Sequence, residues 1–240
     1  MRAASVSKGW LSTALVSVLV LGSSTAMAQS AGGSSTLPLL VGQGAGGTSY
    51  SVPLLLRALE SKGIAPEQVQ YLILTHVHLD HAGGTGQLMQ KLPNATLLLH
   101  PRGARHMIDP RILYASASSV YGEVEMARSY GQLLPVEASR VRAMQDNESV
   151  LLNGRELVFL DTPGHAKHHH CVYDKTSNGV FTGDAFGLSY RAVNVNGEPF
   201  VFPSTSPPQF DPEAAHASIE RIVALQPSCV YLTHYGRVDN

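Results

Sequence analysis

Charge is scarce and unclustered in this sequence. Only 15% of its 240 residues are Asp, Glu, Lys or Arg, the formal net charge is −1, and no basic run stands out. That argues against a nucleic-acid partner, which would call for a basic patch or stripe. Cysteine is nearly absent as well. Two residues, Cys171 and Cys229, cannot supply a disulfide framework. A single disulfide between them stays open, but each lies in an apolar, strand-like run, and the reading favoured is free, buried thiols. Long apolar runs are missing too. The apolar stretch Trp10–Gly22 falls short of the ~20 residues a membrane span needs. What is present, 44% hydrophobic residues over this length, suits one globular domain with a sizeable core.

The first 28 residues read as a secretory leader. Arg2 and Lys8 form a positive start, Trp10–Gly22 is the apolar centre, and Ala26-Met27-Ala28 is a small-residue cleavage pattern. Cleavage is expected after Ala28, which places the mature protein in the periplasm or outside the cell with no stable membrane anchor. Residues 29–49 are a Gly/Ser-rich lead-in. Residues 50–240 form the expected main domain.

Within that domain, strands and helices alternate and then strands cluster. Ser51 is positioned to cap a helix that Gly63 stops. "VQYLILT" (Val69–Thr75) and "ATLLLH" (Ala95–His100) are continuous apolar runs, the pattern of strands buried on both faces. A short helix over "GTGQLMQKL" lies between them, and residues 103–131 read as largely helical. From about Val141 strands and tight turns take over, with Asn178-Gly179 as a hairpin signal. Asp211 caps a helix opened by Pro212, and "SCVYLTHYG" (Ser228–Gly236) reads as one last buried strand. This alternation predicts a layered α/β fold.

Histidine is the residue in surplus, with 11 copies. "THVHLDHAGG" places His76, His78, Asp80 and His81 within six positions, directly after an apolar strand. His165 in "DTPGH", Asp184 in "FTGD" and His234 in "YLTH" follow apolar strands in the same way. Loops at strand ends are where a rigid scaffold presents chemistry. Seven nitrogen and oxygen ligands without a cysteine suit zinc, with iron or manganese as alternatives. Gly83 and Gly84 are expected to let the backbone pass close to the ions. Tyr190, six residues after Asp184, is placed either to hydrogen-bond a substrate carbonyl or to pack. The Pro-rich segment 191–210 is expected to form one wall of the pocket. His168 and His170, in the run "HHH", have no assigned role, and His100, His106 and His216 read as surface or cap residues.

The H-x-H-x-D-H motif, followed in order by "DTPGHAKHH", "TGD" and "YLTHYG", resembles the metallo-β-lactamase-fold hydrolases, among them glyoxalase II and lactonases. The resemblance spans about Leu40 to Val238. It implies a four-layer αββα sandwich and two Zn²⁺ ions. His76, His78 and His165 would hold the first, and Asp80, His81 and His234 the second. Asp184 would bridge both, and His169 would orient a ligand. It also implies a metal-bridging hydroxide as the attacking group, with Asp80 carrying a proton to the leaving group. The chain departs from the pattern at "LLVGQGAGG", where Gly42 stands at the family's Asp, so an incomplete N-terminal edge is expected.

Asp184 directs the choice of substrate. Relatives that cleave β-lactams generally carry Cys or Ser at that place, so an Asp resembles the thioesterase and lactonase branches. The expected activity is hydrolysis of an ester, thioester or lactone of a small molecule. A periplasmic β-lactamase of class B type and a non-catalytic metal-binding member are the alternatives.

Overall fold

The structure, a computed structural model, describes residues 18–22, 48–205, 207–234 and 236–239. In chain order the elements are β1 (Val18–Gly22), α1 (Thr48–Ser61), β2 (Val69–Leu74), α2 (Leu79–Ala82), α3 (Thr85–Lys91), β3 (Thr96–Leu99), α4 (Pro101–Ile108), α5 (Arg111–Tyr121) and α6 (Glu123–Ser129). Then follow β4 (Val141–Ala143), β5 (Ser149–Leu152), β6 (Arg155–Asp161), β7 (His170–Asp174), β8 (Gly179–Gly183), α7 (Pro212–Ala224), β9 (Cys229–Leu232) and β10 (Gly236–Asp239).

Two sheets carry the fold. The first has the order β1-β2-β3-β4, with β2, β3 and β4 parallel and β1 antiparallel to β2. The second has the order β10-β9-β8-β7-β6-β5, antiparallel throughout except for the parallel β8–β9 pair. Period-2 alternation explains why their strands are apolar throughout. In β2, Leu72 and Leu74 face a core built with Val52, Leu55 and Leu59 of α1 and Leu88 of α3. Ile73 between them faces the other sheet, together with Leu98, Phe159, Val172 and Phe181. In β6, Leu157 and Phe159 join this central layer, whereas Val158 and Leu160 pack with Ile222 of α7. Helices therefore cover the outer face of each sheet, which is the expected αββα order. Each buried leucine contributes about 1.5–3 kcal/mol, so a slip of one residue in β2 would exchange whole faces at prohibitive cost.

Some boundaries differ from the sequence reading. α1 starts at Thr48, so Ser51 lies inside the helix and cannot be its cap, and Pro53 is internal as well. The buried stripe Val52, Leu55 and Leu59 holds the helix despite the lost proline hydrogen bond. Residues 103–131 contain three helices, interrupted at Pro110 and at Gly122, whose φ is +83°. The last strand stops at Leu232, and the chain turns back so that β10 pairs with β9. A hairpin joins β7 to β8, but its turn covers Lys175–Asn178 and Gly179 already pairs with Asp174. Asp211 does cap α7, its carboxylate accepting the Ala214 N–H at 3.0 Å.

The departure at Gly42 lies outside the described residues, as do most of the expected leader and lead-in. Val18–Gly22, from the leader's apolar centre, forms β1 and pairs along the edge of β2 from Val18↔Leu74 to Gly22↔Val69. Among the described residues, no helix is long and apolar enough to cross a membrane. Cys171 and Cys229 are both buried and free.

Candidate metal centre

Four strand ends converge. β2 delivers His76 two residues past Leu74, and His78 precedes the one-turn α2 that carries Asp80 and His81. His165 follows β6, Asp184 follows β8, and His234 lies in the turn between β9 and β10. All seven predicted ligands meet. The possible ligand atoms of His76, His78 and His165 lie within 4.8 Å of one another, as do those of Asp80, His81 and His234. A third such group, His76, His81 and Asp184, lies between them.

Asp184 reaches both ends of the centre. Its Oδ2 is 3.4 Å from His165 Nε2, 3.6 Å from His81 Nε2 and 3.4 Å from His234 Nε2. Asp80 Oδ2 lies 3.2 Å from His81 Nε2 and 3.6 Å from His234 Nε2. In the other group, His78 Nδ1 is 3.0 Å from His76 Nε2 and 3.1 Å from His165 Nε2. Tetrahedral Zn–N bonds of ~2.0–2.1 Å put neighbouring nitrogens roughly 3.3–3.4 Å apart, so this spacing needs only a small expansion to take an ion.

The rings are held so that the converging nitrogens keep their lone pairs. His165 Nδ1–H donates to the Ser204 carbonyl at 3.1 Å, which leaves Nε2 for the site. His76 Nδ1 pairs with Thr75 Oγ1 at 3.2 Å. Beneath them, His169 Nε2 accepts the Asp184 N–H at 3.2 Å, so its Nδ1–H donates to Thr162 Oγ1 at 2.9 Å. The Thr162 hydroxyl then points to Cys171 Sγ, and that thiol to the Thr182 carbonyl. Burial pushes the Cys171 thiol up to about 12, so it stays protonated and donates. Gly183 makes this approach possible. Its φ is +52°, and a Cβ there would lie 2.5 Å from His169 Nε2 and 2.8 Å from Thr75 Cβ. At Gly83 a Cβ would meet the Leu79 carbonyl oxygen at 2.7 Å and the Tyr130 ring at 3.3 Å, so local helix packing favours the glycine there.

The electrostatics call for a cation. Burial disfavours charge on His81, but the carboxylates of Asp80 and Asp184 outweigh it and push the ring up to about 10. Burial likewise opposes charge on the two acids. His81 beside them reverses this, holding Asp80 at about 2 and Asp184 well below the usual carboxylate range. Burial lowers His76, His78 and His165, with His78 reaching about 3, so these rings are neutral ligands. Among the described residues, His81 Nε2 and Asp184 Oδ1 are buried without a hydrogen-bond partner. Buried polar atoms of this kind need an explanation, and a divalent cation beside them would supply one. The centre opens toward solvent on one side, where the Asp80 side chain is 37% and the His234 side chain 14% exposed.

Tyr190 stacks on Phe202, ring centroids 5.6 Å apart, and Phe200 continues the stack at 6.1 Å. Its neighbour Ser189 donates its N–H to the His234 carbonyl at 3.1 Å. With Ser204 bonded to His165, the segment 188–204 is thus tied to ligands at both ends. His100 is the cap of α4, as read from sequence, accepting the Arg102 N–H at 3.1 Å, but it is also buried and bonded to Asp161. Ser204 and His170 were not legible as contributors, because their partners lie 39 and 96 residues away.

Residues 45–234 match the family profile described as the metallo-beta-lactamase superfamily. A metallo-beta-lactamase fold-containing protein of Sulfurisphaera tokodaii is 30% identical over 177 residues, 72% of this chain and 63% of that protein. Its crystal structure superposes with a TM-score of 0.59 at 32% identity, covering 71% of this chain and 63% of that one. A hydroxyacylglutathione hydrolase of Citrobacter koseri is 28% identical over 130 residues, 54% of this chain and 37% of that enzyme. A human acyl-coenzyme A thioesterase is 27% identical over 131 residues, 54% of this chain and 46% of its own length. The chain thus spans less than two thirds of the length of each of these relatives.

Proposed function

The chain belongs to the metallo-beta-lactamase superfamily, and on that premise we propose that it is a dinuclear zinc hydrolase of an ester, thioester or lactone in a small molecule. The observation that carries this reading is Asp184, one buried carboxylate within 3.4–3.6 Å of His165, His81 and His234. His76, His78 and His165 would hold one ion, and Asp80, His81 and His234 the other. Asp184 would be shared between the two. The relatives named hydroxyacylglutathione hydrolase and acyl-coenzyme A thioesterase point to thioesters within the same class.

Bound ions would supply Lewis acidity and lower the pKa of water from 15.7 to about 7. The chain's own residues do the rest. His169 and Thr162 hold the Asp184 backbone from below. Asp80, at the open side, would take the proton that the attacking water gives up and pass it to the leaving group. The segment 188–204, with its Tyr190, Phe202 and Phe200 stack, forms a wall against which an acyl or ring portion of the substrate rests.

The test is a small panel on zinc-loaded protein: an aryl ester, an acyl thioester, an acyl-homoserine lactone and nitrocefin. Turnover of at least one of the first three, abolished by chelation and restored by zinc, is expected. Turnover of nitrocefin alone would overturn the reading in favour of a β-lactamase. Elemental analysis should find about two metal ions per chain. The leader belongs to the same proposal. N-terminal sequencing of exported protein should begin at Gln29, and cleavage there would remove β1 and leave the edge of β2 open.

A further inference from the structure

We infer that His170 is a positioning residue for the metal loop, stapling the end of β2 to the start of β7 so that His76 is delivered in register. β2 and β7 belong to different sheets and share no ladder. One residue nevertheless holds two consecutive carbonyls at the end of β2. The His170 ring donates Nε2–H to the Leu74 carbonyl at 2.7 Å, and its backbone N–H donates to the Thr75 carbonyl at 2.9 Å. His76 is the next residue, and the Thr75 hydroxyl pairs with the His76 ring at 3.2 Å. The grip on the strand therefore reaches a ligand ring within one residue.

The neighbours of His170 act alongside it. His169 holds the Asp184 N–H at 3.2 Å. His168 Nδ1 lies 3.4 Å from the Val77 N–H, between His76 and His78. The run "HHH" thus meets three backbone groups in two stretches, 74–77 and Asp184, at sequence separations of 91, 15 and 96 residues.

The chemistry of the ring argues that the bond to Leu74 matters. His170 is 1% exposed, packed edge-on to Phe159 with centroids 4.9 Å apart, and its Nδ1 is buried without a partner. A phenylalanine would fill the same space with no polar atom to desolvate. An imidazole is disfavoured there unless its one hydrogen bond offsets the bare nitrogen. Burial and the neighbouring His100 push the ring down to about 3, so it works as a neutral donor.

The inference rests on metal binding at these ligands and not on any substrate. His170→Phe keeps the volume and loses the donor, whereas His170→Gln restores an N–H. In the Phe variant, affinity for zinc in competition with a chromophoric chelator should fall about 10- to 100-fold, the range for partners that orient ligands. The visible absorption of the cobalt-loaded protein should shift, and Gln should recover much of both. A Phe variant with a lowered melting temperature but native zinc affinity and cobalt spectrum would overturn the inference, leaving His170 a packing residue. Should that variant not fold, ¹⁵N-histidine NMR of the unmutated protein decides. A neutral ring with a slowly exchanging proton on Nε2 is expected, and a proton on Nδ1 would overturn the inference. A protein that binds zinc as expected but hydrolyses nothing on the panel would sink the proposed activity and leave this inference standing.

Discussion

The strand ends that carry the ligands and the segments that overhang them are held in different ways. His76, His81, His165 and Asp184 are at most 4% exposed, and most of the seven ligands have a ring or backbone group tied to a neighbour. Helices α5 and α6 lean on the same loop through Leu79, which packs with Met126, Leu133, Tyr114 and Tyr130. No residue of α5 is buried, and Ile112, Val120 and Val124 are 66%, 71% and 85% exposed. Segment 188–204 is similar, with Tyr190, Phe200 and Val195 exposed. The difference teaches where each property resides. Dense hydrogen bonding in the floor fixes ligand geometry, whereas the apolar, thinly anchored walls are free to set substrate choice.

Breaking the floor should have the largest effect. Asp184→Asn removes the charge shared by both ligand groups, so kcat/KM should fall at least ~100-fold and bound metal should drop toward one ion or none. Assay and elemental analysis of the same sample check this. Gly183→Ala attacks the floor through the backbone. A left-handed φ and a Cβ 2.5 Å from His169 should cost about 2–3 kcal/mol, read from a denaturant midpoint.

Acid should separate floor from walls more gently. Burial holds His168 near 4 and His170 near 3, below the ordinary 6.5 that each regains on unfolding. Below 6.5 the unfolded chain therefore binds more protons than the folded one, and stability falls as pH falls. Each ring should contribute a slope of about 1.4 kcal/mol per pH unit, from 6.5 down to about 4 for His168 and about 3 for His170. Denaturant midpoints of metal-free protein between pH 7 and pH 4 test this, with the slope reduced in His170→Phe. The smallest effect belongs to the wall. Phe200→Ala should leave melting temperature and metal content unchanged while raising KM for long-acyl substrates up to about tenfold, the loss expected for ~50 Å² of apolar contact. Equal loss on short and long substrates would erase the distinction between floor and wall.

Legibility followed the same division. The candidate ligands could be read because their loops follow apolar strands, and a strand end is a local event: "YLILTHVH", "VFLDTPGH" and "VFTGD" each state it within a few residues. The cap of α7 at Asp211 was readable for the same reason. Boundaries in 103–131 were less so, because helix propensity runs through Pro110 and Gly122 and only packing shows where each helix ends.

Local spacing, then, pointed to the layered α/β class, the seven candidate ligands and the free thiols. Tertiary structure alone decided how those ligands are held. Ser204 on His165 and His170 on Leu74 join residues 39 and 96 positions apart. Hydrogen bonds are directional and short-ranged, so such partners exist only once the two sheets have packed face to face, and no spacing within one strand foretells them.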